Sequence, residues 1–200
     1  MEQRLPILRL FFRLFVATML LCVGNAALFS TNAANSATDL EGRPFDPFRA
    51  ARGKIVVLIF VRADCPISNR YAPVIQQLNA QHKDKAEFFL VYPSKRETPD
   101  MIRKHDQQFG FGSALQPLRD PHRTLVKQSR AQITPEAAVF DVAQQLVYHG
   151  RIDNLYEDFG HSRRTATTHE LADAIEAAIA GKTLNGKGTP AVGCYISDLE

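Results

Sequence analysis

Residues 55–61 read Ile-Val-Val-Leu-Ile-Phe-Val, an unbroken apolar and largely β-branched run that stops four residues before Cys65-Pro66. A run of this length fits a central strand covered on both faces, which commits the chain to a sheet with layers above and below it. Phe88-Phe89-Leu90-Val91-Tyr92, closed by Pro93-Ser94, is a second such strand. Between them Tyr71, Val74, Ile75 and Leu78 recur at i, i+3, i+4 and i+7, one face of an amphipathic helix, and Pro73 ends or kinks its first turn.

The same punctuation continues downstream. Thr98-Pro99-Asp100 opens a helix with Thr98 as N-cap, and Asp120-Pro121 repeats that signature before a short helix through Leu125 and Val126. Residues 137–141 and 145–148 form a hairpin turning at 142–144, while 37–52 supply a lead-in. Gly110-Phe111-Gly112 is a turn, too short for a phosphate loop. Thr167-x-x-Glu170 is a capping box for a last helix whose apolar face is Leu171, Ile175, Ala178 and Ile179 and whose stop is Gly181. The order predicts an α/β fold with a central mixed sheet flanked by helices on both faces.

Charge and cysteine usage narrow the function classes. Of the formal +3 over 200 residues, Arg4, Arg9 and Arg13 against Glu2 account for +2. The rest is nearly balanced, which excludes the clustered basic excess that nucleic acid or an acidic membrane surface requires. A 45% hydrophobic content beside 22% charged residues excludes disorder, and three cysteines exclude a disulfide-dense mini-domain. The arginines precede a short apolar stretch, Leu14–Val23, and small residues, the pattern of a secretory signal peptide over 1–26. Cleavage after Gly24-Asn25-Ala26 is expected, with Thr31-Asn32-Ala33 as a later position; an uncleaved membrane anchor is the alternative. Cys22 is an apolar filler of that stretch. Export to a periplasmic or other extracytoplasmic compartment follows, with a domain over 37–185, a mobile tail over 186–200 carrying Cys194, and no membrane span in the mature form.

Cys65 lies beyond the carboxyl end of the first strand and before a helix, where open α/β sheets place their sites. Pro66 suits the first helical position, making Cys65 the N-cap, where unpaired N–H groups and the helix dipole favour a thiolate. Arg62 and Arg70 flank it and reinforce that effect, while Asp64 opposes them. The setting, Asp64 to Ser68-Asn69-Arg70, is a polar loop rather than an apolar core.

Cys65-Pro66-Ile67-Ser68 after a strand, then Thr134-Pro135 before Ala137–Asp141, resembles the thioredoxin fold, and within it the redoxin group that includes peroxiredoxins (AhpC/TSA) and exported thiol-disulfide oxidoreductases. The resemblance covers about residues 40–195. It implies a cis Pro135 facing the reactive cysteine, with Thr134, Arg62 and Arg70 toward the substrate. This sequence departs from both patterns. Ser68 stands where C-x-x-C has its second cysteine, Ile59 where thioredoxin has a buried carboxylate, and Leu58 and Arg62 where peroxiredoxins have Pro and Thr; the peroxiredoxin arginine before the late strand falls near Pro135.

The resemblance implies an exported thiol oxidoreductase in which Cys65 attacks a protein disulfide, a small disulfide or a peroxide, with a thiol reductant or redox protein as partner. Ser68 hydrogen-bonds the sulfur but cannot resolve a mixed disulfide, so Cys194, a small thiol or a partner must do so. No organic cofactor is implied, because sulfur carries both electrons. Three other readings stay open: peroxide reduction by the same cysteine, a non-catalytic module with a permanent Cys65–Cys194 bridge, and a Sco-like copper carrier using His149 or His161. The six histidines show no metal-ligand spacing. Arg151 and Asp153 are expected to be a surface ion pair.

Overall fold

The structure, a computed structural model, describes residues 36–182 and 188–197; the expected leader lies outside them. Its sheet has five strands in the order β3-β2-β1-β5-β6, where β1 is Ile55–Phe60, β2 Ala86–Tyr92, β3 Gln116–Arg119, β5 Glu136–Phe140 and β6 Leu146–Gly150. Strand β1 runs parallel to β2 and β2 parallel to β3, whereas β5 is antiparallel to both β1 and β6. The mixed sheet expected from the chain order is present, with the apolar run at its centre.

Side-chain alternation in β1 assigns the two cores. Ile55, Val57 and Ile59 face one layer with Ile75 and Leu78 of α3 (Ala72–His82), Ile102 of α4 (Pro99–Phe109), and Leu171 and Ile175 of α6 (Glu170–Ile179). Val56, Leu58 and Phe60 face the other, with Leu125 and Val126 of α5 (Thr124–Ser129) and the ring of Phe48 from α1 (Pro47–Ala50), which meets Phe140 edge-on at 4.9 Å. Every residue of β1 is buried, as an all-apolar strand requires. Pro117 confines β3 to the sheet edge, where Thr38 pairs with Arg119 and covers it.

Local boundaries follow the sequence in part. Cys65 is the N-cap of α2 (Pro66–Arg70), which breaks at Tyr71 before α3 begins with Pro73 in its first turn. Thr98 caps α4 by accepting the Met101 N–H, and Gly110 ends it in the left-handed region. Two expected caps are displaced. Asp120 is not the first residue before α5; it sits four residues earlier, and its buried carboxylate reaches forward to the N–H groups of Thr124 and Val126. Thr167 is not the N-cap of α6 either. The side-chain oxygen of Asn154 takes the Thr167 and Thr168 N–H groups, and the helix starts at Glu170. Gly181 stops it as expected.

The described part of the tail, 188–197, is docked rather than loose. Its Thr189 bridges Gly150, and β9 (Cys194–Tyr195), which follows the small antiparallel pair β7 (Tyr156–Asp158) and β8 (His161–Ser162), pairs antiparallel with β4 (Ile133–Thr134). Among the described residues no helix is long and apolar enough to cross a membrane.

Ile75 is fully buried where α3 meets the sheet face that carries the cysteine. Ile75→Ala is expected to lower the unfolding free energy by about 2–5 kcal/mol in urea denaturation; a loss under about 1 kcal/mol would contradict this packing.

Candidate active site

Strand β1 delivers the chain to residues 62–65, and α2 turns Cys65 inward. The Cys65 thiol donates to the Thr134 carbonyl at 3.3 Å. The next peptide bond, Thr134-Pro135, is cis, and Pro135 is buried. On the other side, Cys194 Sγ lies 2.8 Å from Cys65 Sγ although 129 residues separate them. Both cysteines are free thiols.

The contact is built by backbone pairing. Thr134 is the register partner of Cys194, its hydroxyl donates to the Cys194 carbonyl at 3.2 Å, and the Ile196 N–H donates to Gln132 O at 2.9 Å. Gly193 lets the tail approach closely, since a Cβ there would collide with the Thr134 carbonyl oxygen. At the far end of the same segment a Cβ on Gly188 would strike the His149 ring. The buried Glu136 carboxylate fixes the other side of the Thr134-Pro135 turn by accepting the Gln132 and Ile133 N–H groups at 2.8 and 3.1 Å.

Sequence reasoning placed Cys65 on a polar loop. It is in fact 0% exposed, within the core cluster, because the tail that the sequence left unplaced covers it. Burial on its own opposes ionisation. Hydrogen bonding from the Cys194 thiol, the Ser68 backbone N–H, the Ser68 hydroxyl and the Cys194 backbone N–H outweighs it, so the Cys65 thiol is held below the ordinary value. As a thiol Cys65 makes no capping bond; the Ser68 donors act on the thiolate. Ser68 is 1% exposed, and its hydroxyl has no hydrogen-bond partner among the described residues, which leaves it free to donate to a Cys65 thiolate. Cys194 is pushed the opposite way, by burial first and then by its bond and charge interaction with Cys65. The two thiols titrate as a pair in which Cys65 is the easier to ionise.

The flanking arginines do not supply the expected effect. Arg62 forms a two-pronged pair with Asp64, at 3.1 and 2.9 Å, and its charge lowers Cys194 instead. Arg70 is exposed at the end of α2. Arg151 pairs with Glu170 rather than Asp153; Asp153 is buried and accepts the Tyr71 hydroxyl at 2.7 Å. Among the described residues no group of three or more His, Cys, Asp or Glu side chains is arranged to hold a metal.

A second support for the cysteine loop was not legible from the sequence. Glu97 accepts the Ala63 N–H at 2.6 Å, and Asn69 donates to the Ala63 carbonyl at 3.1 Å. Asn69 Oδ1 is then the acceptor for His105 Nε2, at 2.7 Å, which leaves Nδ1 to accept from the Tyr92 hydroxyl at 2.8 Å. That arrangement needs a neutral ring, and burial lowers the His105 pKa to about 4. Only the polar face of an otherwise amphipathic α4 hinted at it, because a lone histidine there reads as solvent-facing.

No protein-family description and no curated protein matches the chain. Solved structures do. A thioredoxin-like protein from Aeropyrum pernix aligns with a TM-score of 0.53 at 15% identity, covering 73% of this chain and 88% of that one. The fold is thioredoxin-like. DsbF from MTB (Mycobacterium tuberculosis), solved in mixed oxidised and reduced forms, aligns at 0.52 and 20% identity over 72% of this chain and 93% of its own. A hypothetical protein from Sinorhizobium meliloti 1021 aligns at 0.68 and 21% identity over 86% and 95%. This thioredoxin-like chain differs from a C-x-x-C arrangement in drawing its second sulfur from β9 rather than from α2.

Two expectations follow. Ser68→Ala removes one donor to the thiolate and should raise the Cys65 titration by about one pH unit in ultraviolet thiolate absorbance; an unmoved curve would contradict that role. The unfolded chain binds a proton at His105 near its ordinary 6.5 whereas the folded chain does so only near about 4, so this residue makes stability fall as pH drops through that window. Asp120, raised to about 6 by burial, has the opposite slope. Comparing wild type with His105→Gln isolates the histidine: the variant should lose less stability between those limits, and parallel curves would refute it.

Proposed function

We propose that this protein is an exported, redoxin-type thiol-disulfide oxidoreductase whose working pair is Cys65 and Cys194. The observation that carries the reading is the placement of two free sulfurs 2.8 Å apart at the carboxyl end of the central strand, beside the Thr134-Pro135 turn. Supporting it are the donors that favour a Cys65 thiolate and the fold shared with DsbF. Export rests on the basic and apolar pattern of residues 1–26, and an oxidising compartment suits such a pair.

The chemistry is a two-electron exchange. In the reduced chain one of the two sulfurs attacks the external disulfide and the other displaces the partner to complete the internal disulfide, with the Cys65 thiolate a nucleophile in either order. An external disulfide accepts two electrons and two protons and leaves as two thiols, while the Cys65–Cys194 bond forms. In reverse, an external dithiol is oxidised and the pair returns to two thiols. Ser68 stabilises the thiolate and takes no covalent part, since a hydroxyl offers no sulfur. Thr134 holds the pair in register by binding Cys194 through its backbone and hydroxyl.

Reduction of a model protein disulfide by the full chain, with dithiothreitol as electron source, tests this. Cys65→Ser and Cys194→Ser should each lower the rate by at least about tenfold. Full activity in Cys65→Ser would overturn the reading. A Cys65–Cys194 bond that resists millimolar dithiothreitol would show a permanent clip, and fast consumption of hydrogen peroxide with no disulfide exchange would show a peroxidase.

A further inference from the structure

The two sulfurs differ in what they can meet. Cys65 is 0% exposed, enclosed by Ser68, the Thr134 carbonyl and Cys194 itself. Cys194 is part-exposed, and its neighbour Tyr195 is 72% exposed. Arg62 and Asp64, paired with one another, act electrostatically on Cys194 from the loop before Cys65. The cover is also fixed in place. Strand β9 is held on β4 at both residues, Ile196 adds a further backbone bond to Gln132, and Gly193 and Gly188 seat the segment where no side chain would fit.

We propose that Cys194, not Cys65, is the sulfur through which the pair exchanges with external thiols, so that the mixed disulfide forms on Cys194 while Cys65 is the buried leaving and closing sulfur. This rests on the reading of the two cysteines as one redox pair and reverses the role expected of the cysteine beside the first strand. In the oxidised protein an external thiolate attacks Cys194 Sγ. A new sulfur–sulfur bond forms there, the Cys65–Cys194 bond breaks, and its electron pair remains on Cys65 as a thiolate. A second external thiol, or the second sulfur of a dithiol, then attacks the first external sulfur. That step releases the oxidised external disulfide and leaves Cys194 to take up a proton. The net change is one external disulfide formed and one internal disulfide reduced to two thiols.

Leaving-group chemistry agrees with the geometry. In thiol-disulfide exchange the sulfur of lower pKa leaves faster, and the donors on Cys65 make it the better leaving group of the two. The ligand class is a thiol able to reach a half-buried sulfur at a strand edge. It need not enter the core, and it need not displace β9. A peptide dithiol and a small thiol both satisfy that requirement.

The test uses the full chain, first oxidised with diamide and shown by non-reducing peptide mapping to carry the Cys65–Cys194 bond. Glutathione is added, the reaction is stopped with acid at early times, free thiols are alkylated, and the glutathione-bearing peptide is identified by mass spectrometry. Glutathione should appear on Cys194 at least about tenfold more often than on Cys65, and Cys65 should be recovered alkylated. Glutathione mainly on Cys65, or equally on both, would overturn the inference while leaving the redox pair intact. Failure of the bond to form at all would overturn the pair and this inference together. Gly193→Ala provides a second arm. Crowding the tail off Thr134 should uncover Cys65 and erase the preference, and a preference unchanged in a folded variant would count against burial as its cause.

Discussion

Cys194 reaches Cys65 because two residues of β9 lie antiparallel on two residues of β4, and that short pairing governs everything chemical in the molecule. Thr134 is the hub. Its carbonyl accepts from Cys65, its hydroxyl donates to the Cys194 carbonyl, and its backbone sets the register that aligns the sulfurs. Such a brief ladder would be marginal alone. It is reinforced by glycines that admit backbone contact, by Glu136 beneath the turn, and by the Thr189 bridge to the sheet edge at Gly150.

Burial and ionisation pull against each other at this site, and the arrangement resolves the conflict locally. A thiol removed from water resists losing its proton, yet the interactions of Cys194 and Ser68 with the Cys65 sulfur tip the balance toward its thiolate. The Ser68 N–H is the helix-terminus donor expected from the sequence, while Cys194 takes the place of the two arginines. Arg62 is turned to Asp64 and Arg70 to the surface. The loop itself is anchored by Glu97, Asn69, His105 and Tyr92, linked by hydrogen bonds through the Ala63 backbone and the His105 ring.

Much of the fold was legible because it is written in short-range terms. The apolar runs at 55–61 and 88–92 need two covered faces, and Thr98-Pro99 or Gly181 mark helix ends through their own backbone preferences. What failed were features set by distant partners. Asp120 looked like an adjacent cap, but its side chain reaches across a turn; the Thr167 cap was taken by Asn154, thirteen residues earlier. At the site, the place of Pro135 came from the resemblance to the thioredoxin fold, and Cys65 could be located from local pattern. The exposure of Cys65 could not, since it depends on where a segment some 130 residues later comes to rest. A Gly-Cys-Tyr in a tail rich in glycine reads as loose chain, although the glycine is what permits its docking.

The most direct measurement is a redox titration of the full chain in glutathione buffers of varied ratio, with free cysteines alkylated and the whole protein weighed at each point. A reversible pair predicts one two-electron transition in which Cys65 and Cys194 lose and regain reactivity together, joined in a single linked peptide. Independent modification of the two cysteines, or a pair that stays reduced at every ratio, would contradict the account.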